Sequence, residues 1–431
     1  MKPISILFLA IALLTIGSVS YGGRLSALLK NQNSYSYLDH YWQKQDVQLD
    51  VEFNTALTHG DLTVIGRVLV DGSDDLNHAS SPDTYSRWQG GRYASQHAMA
   101  ELRELYWTFG DATFWKIGKQ QVVWGEADGL KLLDVVNPQS YREFILDDVE
   151  DSRIPLWMVK AEVSVFEDSQ LQLLWIPDST THDLAPQSSP FAFTSPLLVP
   201  VPSGNSKVDL RSSGAPNRLF LDSDVGGRLS TFTNGWDVTF NYLYHYVDEP
   251  VFRTGLSSAG VVTEGEYERS HLLGGSASSV FGNWTVRTEL AYEKDRYHRT
   301  KQAFPGVVQA DQFGSVIGFD YQGWTDQLIS FQWFQTTILD NTDQLQKERT
   351  EDTVSLLWDI SFMNETLKLR FLNLYSVDHG DGLLRPKLTY NLLSNLDVIL
   401  SLDKFYGDSD GVYGQFDEND RVSIGFELGL D

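Results

Sequence analysis

The sequence predicts an all-β chain that closes into a transmembrane antiparallel β-barrel of about 16–18 strands. Apolar and polar residues alternate with a period of two along most of the chain. Tight turns alternate with long polar connections, as in barrels whose turns and loops lie on opposite sides of a membrane. After the N-terminus, no segment approaches the roughly 18 consecutive apolar residues that a membrane-spanning helix needs.

The N-terminus has the features of a secretory signal peptide, which predicts an exported chain. Lys2 supplies the positive region, Ile4 to Ile16 the apolar region, and Ser18-Val19-Ser20 the small residues of a cleavage site. The apolar run is too short to cross a membrane as a helix. The predicted organisation is a signal peptide over residues 1–20 and a single outer-membrane barrel over residues 21–431.

Eight hairpins are predicted, each made of two strands joined by a tight turn. In the first, apolar residues such as Val47 and Leu49 alternate with polar ones, and His59-Gly60-Asp61 forms the turn. The predicted pairs are Val47–Leu57 with Leu62–Asp71, Met99–Phe109 with Ala112–Val123, Leu156–Phe166 with Leu171–Ile176, Val225–Phe232 with Trp236–Val247, Arg269–Phe281 with Trp284–Asp295, Gln309–Tyr321 with Asp326–Ile338, Thr353–Phe362 with Leu367–Val377, and Leu383–Leu393 with Asp397–Tyr406.

One further strand is predicted at each end of the barrel, Arg24–Tyr35 and Asp420–Leu430. The total is about eighteen, an even number as in single-chain bacterial barrels, and sixteen is the alternative because Arg24–Tyr35 is weakly patterned. The short turns are expected to face the periplasm and the long connections the outside. The long connections cover residues 72–97, 125–155, 178–222, 248–267, 296–308, 340–351, 378–382 and 407–419.

The last strand carries a pattern that resembles the C-terminal signal read by the barrel-assembly machinery, which is therefore an expected partner. The residues of this pattern are Ser423, Gly425, Leu428 and Leu430. The chain ends on Asp431, whereas an aromatic terminus is more usual. An ordinary amphipathic strand is the alternative interpretation, and the many similar strands upstream favour the assembly signal.

Composition excludes several classes of protein and site. The absence of cysteine excludes disulfides, zinc–thiolate sites, a cysteine nucleophile and a lipid anchor on cysteine. A net charge of −25 repels nucleic-acid phosphates, so no nucleic-acid partner is expected. Aromatic residues make up 13% of the chain and are spread along it, as the interfacial girdles of a barrel require. Outer-membrane lipid and lipopolysaccharide are the expected surroundings.

The charged face of each strand is predicted to line the lumen, because a charge facing lipid at mid-bilayer costs about 2–4 kcal/mol. Val51, Val68 and Leu290 are examples of the opposite, lipid-facing side. Residues of both signs on single strands predict ion pairs across a polar interior. The predicted lumen residues of the wall are Asp50, Glu52, Arg67, Glu101, Arg103, Lys160, Glu162, Arg228, Arg287, Glu289, Lys368, Arg370 and Asp403.

The stretch from Gln120 to Leu156 interrupts the strand pattern, and residues 125–155 are predicted to be a loop folded toward the lumen. Asn137-Pro138 predicts the start of a short helix, with Asn as the cap and Pro in the first helical position. An acidic run follows, which needs basic partners if it is enclosed by the barrel. The predicted constriction residues of this run are Arg142, Glu143, Asp147, Asp148, Glu150, Asp151 and Arg153, with Arg67, Arg103, Arg228, Arg287 and Arg370 as the available wall arginines.

An 18-stranded barrel leaves an aqueous channel unless something fills it. Besides the opening stretch of the chain, the connection 178–222 is a candidate, because it contains Pro-Phe-Ala-Phe at 190–193 and an apolar, proline-rich run at 196–202. Packing of this connection against the barrel rim is the first interpretation. A gate or a path for a hydrophobic solute is the second.

No catalytic or metal site is predicted, and no cofactor is expected. Most of the nine histidines fall in loops or near turns, and none forms a set of nucleophile, base and orienting residue. Asp408, Asp410, Gly411 and Asp417 follow the spacing of a calcium loop in part, but Tyr406 occupies the first ligand position. A solvated acidic loop is the favoured interpretation, so the chain is not expected to be an enzyme.

A family resemblance is densest over residues 100–165. It is carried by Gly118-Lys119-Gln120-Gln121-Val122-Val123-Trp124-Gly125-Glu126-Ala127-Asp128-Gly129, Asp134-Val135-Val136-Asn137-Pro138, Glu143-Phe144 and Glu150-Asp151-Ser152-Arg153-Ile154-Pro155-Leu156-Trp157-Met158. This signature resembles a proteobacterial family of outer-membrane β-barrels of unknown function, domain-of-unknown-function family 1302. The resemblance implies an association with resistance-nodulation-division type exporters of hydrophobic molecules. It implies no catalytic or binding residues.

Two functional hypotheses follow. In the first, the barrel is a channel or transport component of the bacterial outer membrane, for hydrophobic or lipid-like molecules together with an exporter or a periplasmic lipid carrier. In the second, it is a plugged structural or adhesive barrel that acts through its loops or a periplasmic partner. If it conducts, the acidic balance favours cations.

Overall fold

The computed structural model describes residues 22–73, 76, 84–89, 93–127, 129–186, 188–200, 210–212, 216, 218–257, 260–340 and 344–430. The predicted signal peptide, residues 1–20, lies outside the described residues.

Eighteen antiparallel strands form a closed barrel, which confirms the predicted fold class. Each strand pairs with the next one along the barrel, and β24 pairs with β1 to close it. The barrel strands are β1 Gly23–Ser36, β2 Tyr41–Ala56, β3 Asp61–Asp71, β5 Ala98–Phe109, β6 Thr113–Gln120, β8 Leu156–Phe166, β9 Ser169–Ile176, β12 Asp224–Thr233, β13 Trp236–Tyr246, β16 Arg269–Phe281, β17 Trp284–Arg299, β18 Val307–Tyr321, β19 Gln327–Ile338, β20 Thr350–Phe362, β21 Leu367–Ser376, β22 Asp381–Leu393, β23 Leu396–Tyr406 and β24 Arg421–Leu430.

The connections between the barrel strands contain short strands and helical turns. They are the strands β4 Tyr93–Ser95, β7 Ser140–Tyr141, β10 Asp183–Leu184, β11 Leu210–Ser212, β14 Val251–Ser257 and β15 Gly260–Glu266, the single helical turn α1 Val149–Ser152, and the 3-10 helices Arg87–Gln89 and Gly414–Asn419. No helix in the described part of the chain is long and apolar enough to cross a membrane.

The tight turns lie together on one rim of the barrel, and the long connections lie on the other. This separation follows from the chain order, because successive strands run in opposite directions. Gly60 and the Asn234-Gly235 pair adopt positive φ values of 87°, 51° and 83°, which glycine and asparagine tolerate best.

The predicted strand β1 and all eight predicted hairpins are present, with ends that differ by a few residues. The largest differences are an earlier start of β2, at Tyr41 rather than Val47, and a later end of β17, at Arg299 rather than Asp295.

The outer face of the barrel is apolar, and the inner face carries the charges. Large apolar side chains that point outward, such as Leu290, Trp333 and Leu400, are exposed on the barrel surface. A closed sheet satisfies its backbone groups internally, and its apolar outer face matches hydrocarbon. The chain is therefore a β-barrel of the bacterial outer membrane.

One local prediction is wrong. Asn137-Pro138 does not begin a helix. The Asn137 side chain accepts a hydrogen bond from Val122 N at 2.8 Å and donates to the carbonyls of Gln120 and Ile154 at 3.3 and 2.9 Å. These bonds join three separate stretches of chain, so tertiary contacts rather than helix capping determine the conformation of Asn137.

The alternation of faces can be tested at mid-height of β23, where Leu400 faces lipid and Ser401 faces the lumen. Leu400→Arg is expected to lower the free energy of unfolding by about 2–4 kcal/mol, because it places a charge in hydrocarbon. Urea unfolding of the refolded barrel in lipid vesicles measures the loss. Ser401→Arg is the matched control with a much smaller expected loss, and equal losses in the two variants would contradict the assigned faces.

Candidate functional site: the constriction in the lumen

Residues 121–155, the connection between β6 and β8, lie across the interior of the barrel and are called the lumen segment below. One side of this segment is apolar. Val122, Trp124, Leu133 and Val136 pack on inward-facing wall residues, which are Leu156, Met158, Leu174, Ile176, Leu243, Leu272 and Ala291. Trp124 and Leu133 are fully buried. Burial of this apolar surface holds the segment against the wall between β8 and β17.

Two glycines of the wall allow the lumen segment to approach closely. A Cβ at Gly274 of β16 would overlap the side chain of Leu133, and a Cβ at Gly314 of β18 would overlap Leu132. Any larger residue at these two positions would push the segment away from the wall. The two glycines therefore leave space in which Leu132 and Leu133 pack against the wall.

A polar scaffold fixes the shape of the lumen segment itself. The buried guanidinium of Arg153 donates two hydrogen bonds to one carboxylate oxygen of Asp134, at 3.0 and 2.7 Å. Gln139 and Arg153 form a β-bridge, and Ile154 N donates to the carbonyl of Pro138 at 2.8 Å. The two ends of the stretch 139–153 are thus held side by side.

Glu289 of β17 anchors the first half of the segment. Its carboxylate accepts hydrogen bonds from the backbone N–H groups of Glu126, Ala127 and Leu133, the last two at 2.9 and 3.2 Å. The neighbouring Arg287 donates to the carbonyl of Glu126 at 2.5 Å and pairs with Asp320 at 2.9 Å. The side chains of Glu289 and Arg287 thus form hydrogen bonds with backbone groups of the lumen segment. In a β-sheet, a neighbouring strand would pair with these groups.

On the opposite side, basic wall residues hold the acidic run. Asp151 pairs with Arg67 of β3 at 2.5 Å and with Lys30 of β1 at 2.7 Å. Arg67 also forms a bidentate salt bridge with Asp50 of β2, at 2.7 and 2.9 Å. Burial alone would raise the pKa of Asp151, but the charges of Arg67 and Lys30 outweigh it and hold the pKa below its ordinary value.

Arg103 of β5 binds the end of α1 rather than a carboxylate of the segment. Its guanidinium donates to the carbonyls of Glu150, Asp151 and Arg153, at 2.9, 3.1 and 2.6 Å. The last carbonyls of a helical turn lack partners within the turn and favour a cation. Arg103 therefore serves as the cap of α1.

Glu143 is held by two basic residues from opposite sides of the seam between the first and last strands. It pairs with Lys44 of β2 at 3.2 Å and with Arg421 of β24 at 2.9 Å. Burial would raise the pKa of Glu143, but the charges of Arg421 and Lys44 outweigh it and bring the pKa to about 2. Asp147 shares Lys44 at 3.4 Å, and burial raises the pKa of Asp147 more than Lys44 lowers it.

The tip of the lumen segment approaches β22. Arg385 donates to the carbonyls of Ile145 and Leu146 at 3.1 and 2.6 Å and pairs with Asp403 at 2.8 Å. Lys387 lies 3.7 Å from the carboxylate of Asp148, which is too long for a hydrogen bond. The segment is thus tightly bound at the level of Arg385 and loosely bound at Lys387.

A cavity of about 400 Å³ remains between this side of the segment and the wall. Its lining begins at Leu76 and Tyr85 in the connection after β3 and continues to Glu427 near the turn end of β24. A second cavity, of about 310 Å³, lies between the segment and β18–β20. It is lined in part by the apolar residues Leu130, Leu132, Ile145 and Phe334.

The connection 177–223 covers part of the loop side of the segment. Phe191 is buried with Phe405 and Phe416 and with Phe144 of the lumen segment. The backbone N–H groups of Thr194 and Ser195 donate to Gln415, at 2.8 and 3.0 Å. The predicted apolar run at 190–193 thus packs inside the rim, while residues 201–202 of the second run lie outside the described residues.

The structure gathers part of the predicted site around one cavity. The predicted residues that line the larger cavity are Arg67, Glu101, Arg103, Arg142, Glu143, Asp147, Asp148, Asp151 and Arg370. Glu101 lies 3.7 Å from Arg103. Arg370 pairs with Asp359 of β20 at 2.7 Å.

Other predicted residues lie apart from this cavity. Lys160 and Glu162 pair with each other on β8 at 2.9 Å. Arg228 donates to the carbonyl of Val123 at 3.1 Å. Glu150 contributes a backbone carbonyl, and Arg153 lies within the scaffold. Arg228 and Arg287 therefore bind backbone carbonyls of the segment, not the acidic run for which they were proposed.

Sequence reasoning missed the basic residues Lys30, Lys44, Arg385, Lys387 and Arg421, which hold the acidic run. Lys30 and Asp151 are 121 residues apart, so no local pattern relates them. Alternation does place Lys30, Lys44 and Arg421 on inward-facing positions, which is the signal that could have identified them. Ser423 and Gly425 lie inward on β24, where Ser423 bonds Ser34 at 2.7 Å across the closing seam, and Leu428 and Leu430 pair with Leu29 and Ala27.

Comparison with known proteins identifies the family. The model of the family described as "Protein of unknown function (DUF1302)" matches residues 29–363, which is more than half of the chain. The chain belongs to this family. The match to the DUF1302 model begins in β1 and ends just after β20, so it includes the whole lumen segment. No curated protein matches the chain.

Solved structures with a similar fold are outer-membrane porins. OccAB1 of Acinetobacter baumannii is 9% identical with a TM-score of 0.53, over 95% of this chain and 95% of that chain. OccK1 (OpdK) of Pseudomonas aeruginosa is 11% identical with a TM-score of 0.52, over 95% of this chain and 98% of that one. OccK8 (OprE) of the same organism is 12% identical with a TM-score of 0.51, over 95% and 97%. The DUF1302 chain is thus porin-like in fold.

The anchoring of the lumen segment can be tested at Asp151. Asp151→Ala leaves Lys30 and Arg67 without their shared partner, and an ion deprived of its partner in a partly buried site is costly. The expected result is faster hydrogen–deuterium exchange over residues 143–153, measured by mass spectrometry on the refolded barrel.

Asp148→Ala is the matched control, because it removes an acidic residue of the same run that has only a long contact with Lys387. Its exchange is expected to stay near that of the wild type. Equal acceleration in the two variants would show that Asp151 does not anchor the segment.

Proposed function

We propose that the barrel is a narrow channel for small hydrophilic solutes, and that the passage runs beside the lumen segment. The cavity of about 400 Å³ carries this proposal. Its lining residues come from the loop side of the barrel, as Leu76 does, and from near the turn side, as Glu427 does. A cavity with such a lining favours passage along the barrel axis.

The width and the lining of the cavity favour small polar solutes. An 18-stranded barrel is wide enough for a water-filled channel. The lumen segment occupies much of that width. Charged residues from β1–β5 and from β21–β24 line what remains, and an apolar solute would have to pass them without compensating contacts. The cavity therefore fits small hydrophilic molecules better than lipids.

Ion selectivity is expected to be weak. Basic residues such as Lys387 and acidic residues such as Asp148 both line the cavity. The net charge of −25 attracts cations to the two mouths of the barrel. A modest preference for cations is the expected outcome.

Transport of a hydrophobic or lipid-like molecule is the second candidate function. The cavity of about 310 Å³ favours it, because leucine, isoleucine and phenylalanine side chains contribute to its lining. Cooperation with an exporter or a periplasmic lipid carrier is proposed only together with this candidate. A plugged structural or adhesive barrel is the third, favoured by the many ion pairs that anchor the segment.

Deleting residues 139–151 tests the proposed channel. Pro138 and Ile154 are joined by a hydrogen bond at 2.8 Å, so the deletion brings neighbouring ends together without stretching the chain. Single-channel recordings in planar bilayers are expected to give a small steady conductance for the wild type and a severalfold larger one for the deletion variant.

Heat-modifiable migration in electrophoresis verifies that both proteins are folded. A folded wild type that stays silent, with a deletion variant that conducts, would support the plugged barrel. Unchanged conductance after the deletion would show that the segment does not restrict the passage.

Uptake by porin-depleted cells separates the two transport candidates. Expression of the wild type is expected to accelerate entry of a small hydrophilic fluorophore and to leave entry of the hydrophobic probe N-phenyl-1-naphthylamine unchanged, because charged residues line the larger cavity. The expected readout is the initial rate of fluorescence change. Accelerated entry of the hydrophobic probe alone would favour the second candidate.

A further inference from the structure

The charges around the larger cavity differ in how much of each side chain a solute can reach. The side chains of Asp148 and Arg370 are 59% and 58% exposed, and that of Lys387 is 34% exposed. The anchoring residues Asp151 and Arg67 are only 21% and 9% exposed. A solute in the cavity therefore meets Asp148, Arg370 and Lys387 before it meets the anchors.

The carboxylate of Asp148 is not used locally. Asp148 occupies the N-cap position of α1, yet its side chain makes no capping hydrogen bond. The ammonium group of Lys387 lies 3.7 Å away, beyond hydrogen-bond distance. An exposed pair with this geometry contributes little to the stability of a protein. A solute can part these two groups at little energetic cost.

Two cations lie together on the wall opposite Asp148. Arg370 of β21 and Lys387 of β22 are register partners on neighbouring strands, and both face the lumen. Arg370 contacts Asp359 at 2.8 and 2.7 Å, yet more than half of its side chain stays exposed. The wall thus presents positive charge where the lumen segment presents one carboxylate.

We propose that Asp148, Lys387 and Arg370 form a two-pole subsite for small zwitterionic solutes, which carry an ammonium and a carboxylate group a few bonds apart. The proposal rests on the proposed channel function and names its substrate class. The ammonium group binds Asp148, and the carboxylate binds Lys387 and Arg370. A solute with a single charge gains a charge-assisted hydrogen bond at one pole only, whereas a zwitterion gains such bonds at both poles.

Block of the potassium chloride current through the full-length barrel in planar bilayers at pH 7 tests the subsite. The probes are β-alanine and its analogues of similar size with a single charge, propionate and propylammonium. β-Alanine is expected to block the wild type at the lowest concentration. Asp148→Asn and Lys387→Gln are each expected to raise its half-blocking concentration about fivefold, as loss of one exposed charge contact of about 1 kcal/mol implies.

Lys404→Gln is the matched control, because Lys404 of β23 is a comparably exposed cation that does not line either cavity. Its half-blocking concentration is expected to equal that of the wild type. Block by propionate or propylammonium at the same concentration as β-alanine, or block that survives both Asp148→Asn and Lys387→Gln, overturns the subsite while leaving the channel intact.

A wild-type barrel that carries no current overturns the proposed function instead. Calorimetric titration of β-alanine into the detergent-solubilised barrel then decides on the subsite by itself. Binding that is lost in Asp148→Asn and kept in Lys404→Gln supports it. No binding to the wild type, or equal binding to all three proteins, overturns it.

Discussion

The contact of Asp151 with Arg67 and Lys30 is the interaction on which the constriction depends. Carboxylates brought inside a barrel lose much of their hydration, and they are tolerated there only with charged partners and hydrogen bonds. Asp151 has two basic partners within 2.7 Å, and Arg103 caps the same helical turn through backbone carbonyls. The position of the acidic run, and therefore the shape of the larger cavity, follows from these few contacts between β1, β3 and β5 and the segment.

Apolar packing and ion pairing have different roles in the lumen. Trp124 and Leu133 are fully buried against the wall between β8 and β17, and wall glycines make room for the leucines. This apolar packing holds one side of the segment in place and uses no charged side chains. The charges are concentrated on the other side, where they anchor the acidic run and line a passage. The anchors Arg67 and Asp151 are less exposed and tightly paired. Asp148 and Lys387 are more exposed and loosely paired, so they are the residues available to a solute.

The fold was predictable from the sequence because alternation is a local property that repeats on every strand. The alternation of apolar and polar residues from Val47 to Phe53, for example, predicts both a strand and which of its faces contacts lipid. The site was predictable only in part. Glu143 and Arg421 are 278 residues apart, and nothing local tells which inward-facing cations meet the acidic run. Asn137 was assigned to a helix by its neighbour Pro138, but bonds to Gln120 and Ile154 determine its conformation. Backbone carbonyls as partners of Arg103 and Arg228 could not be foreseen either, because every residue carries one.

A double-mutant cycle between Asp151 and Arg67 tests the central claim most directly. The free energies of unfolding of Asp151→Ala, Arg67→Ala and the double variant are measured against the wild type in lipid vesicles. If the lumen segment is held inside the barrel by this pair, the double variant loses less stability than the sum of the single losses, by about 1 kcal/mol or more. Strictly additive losses would mean that the two residues do not interact, and the account of an ion-paired segment inside the lumen would be contradicted.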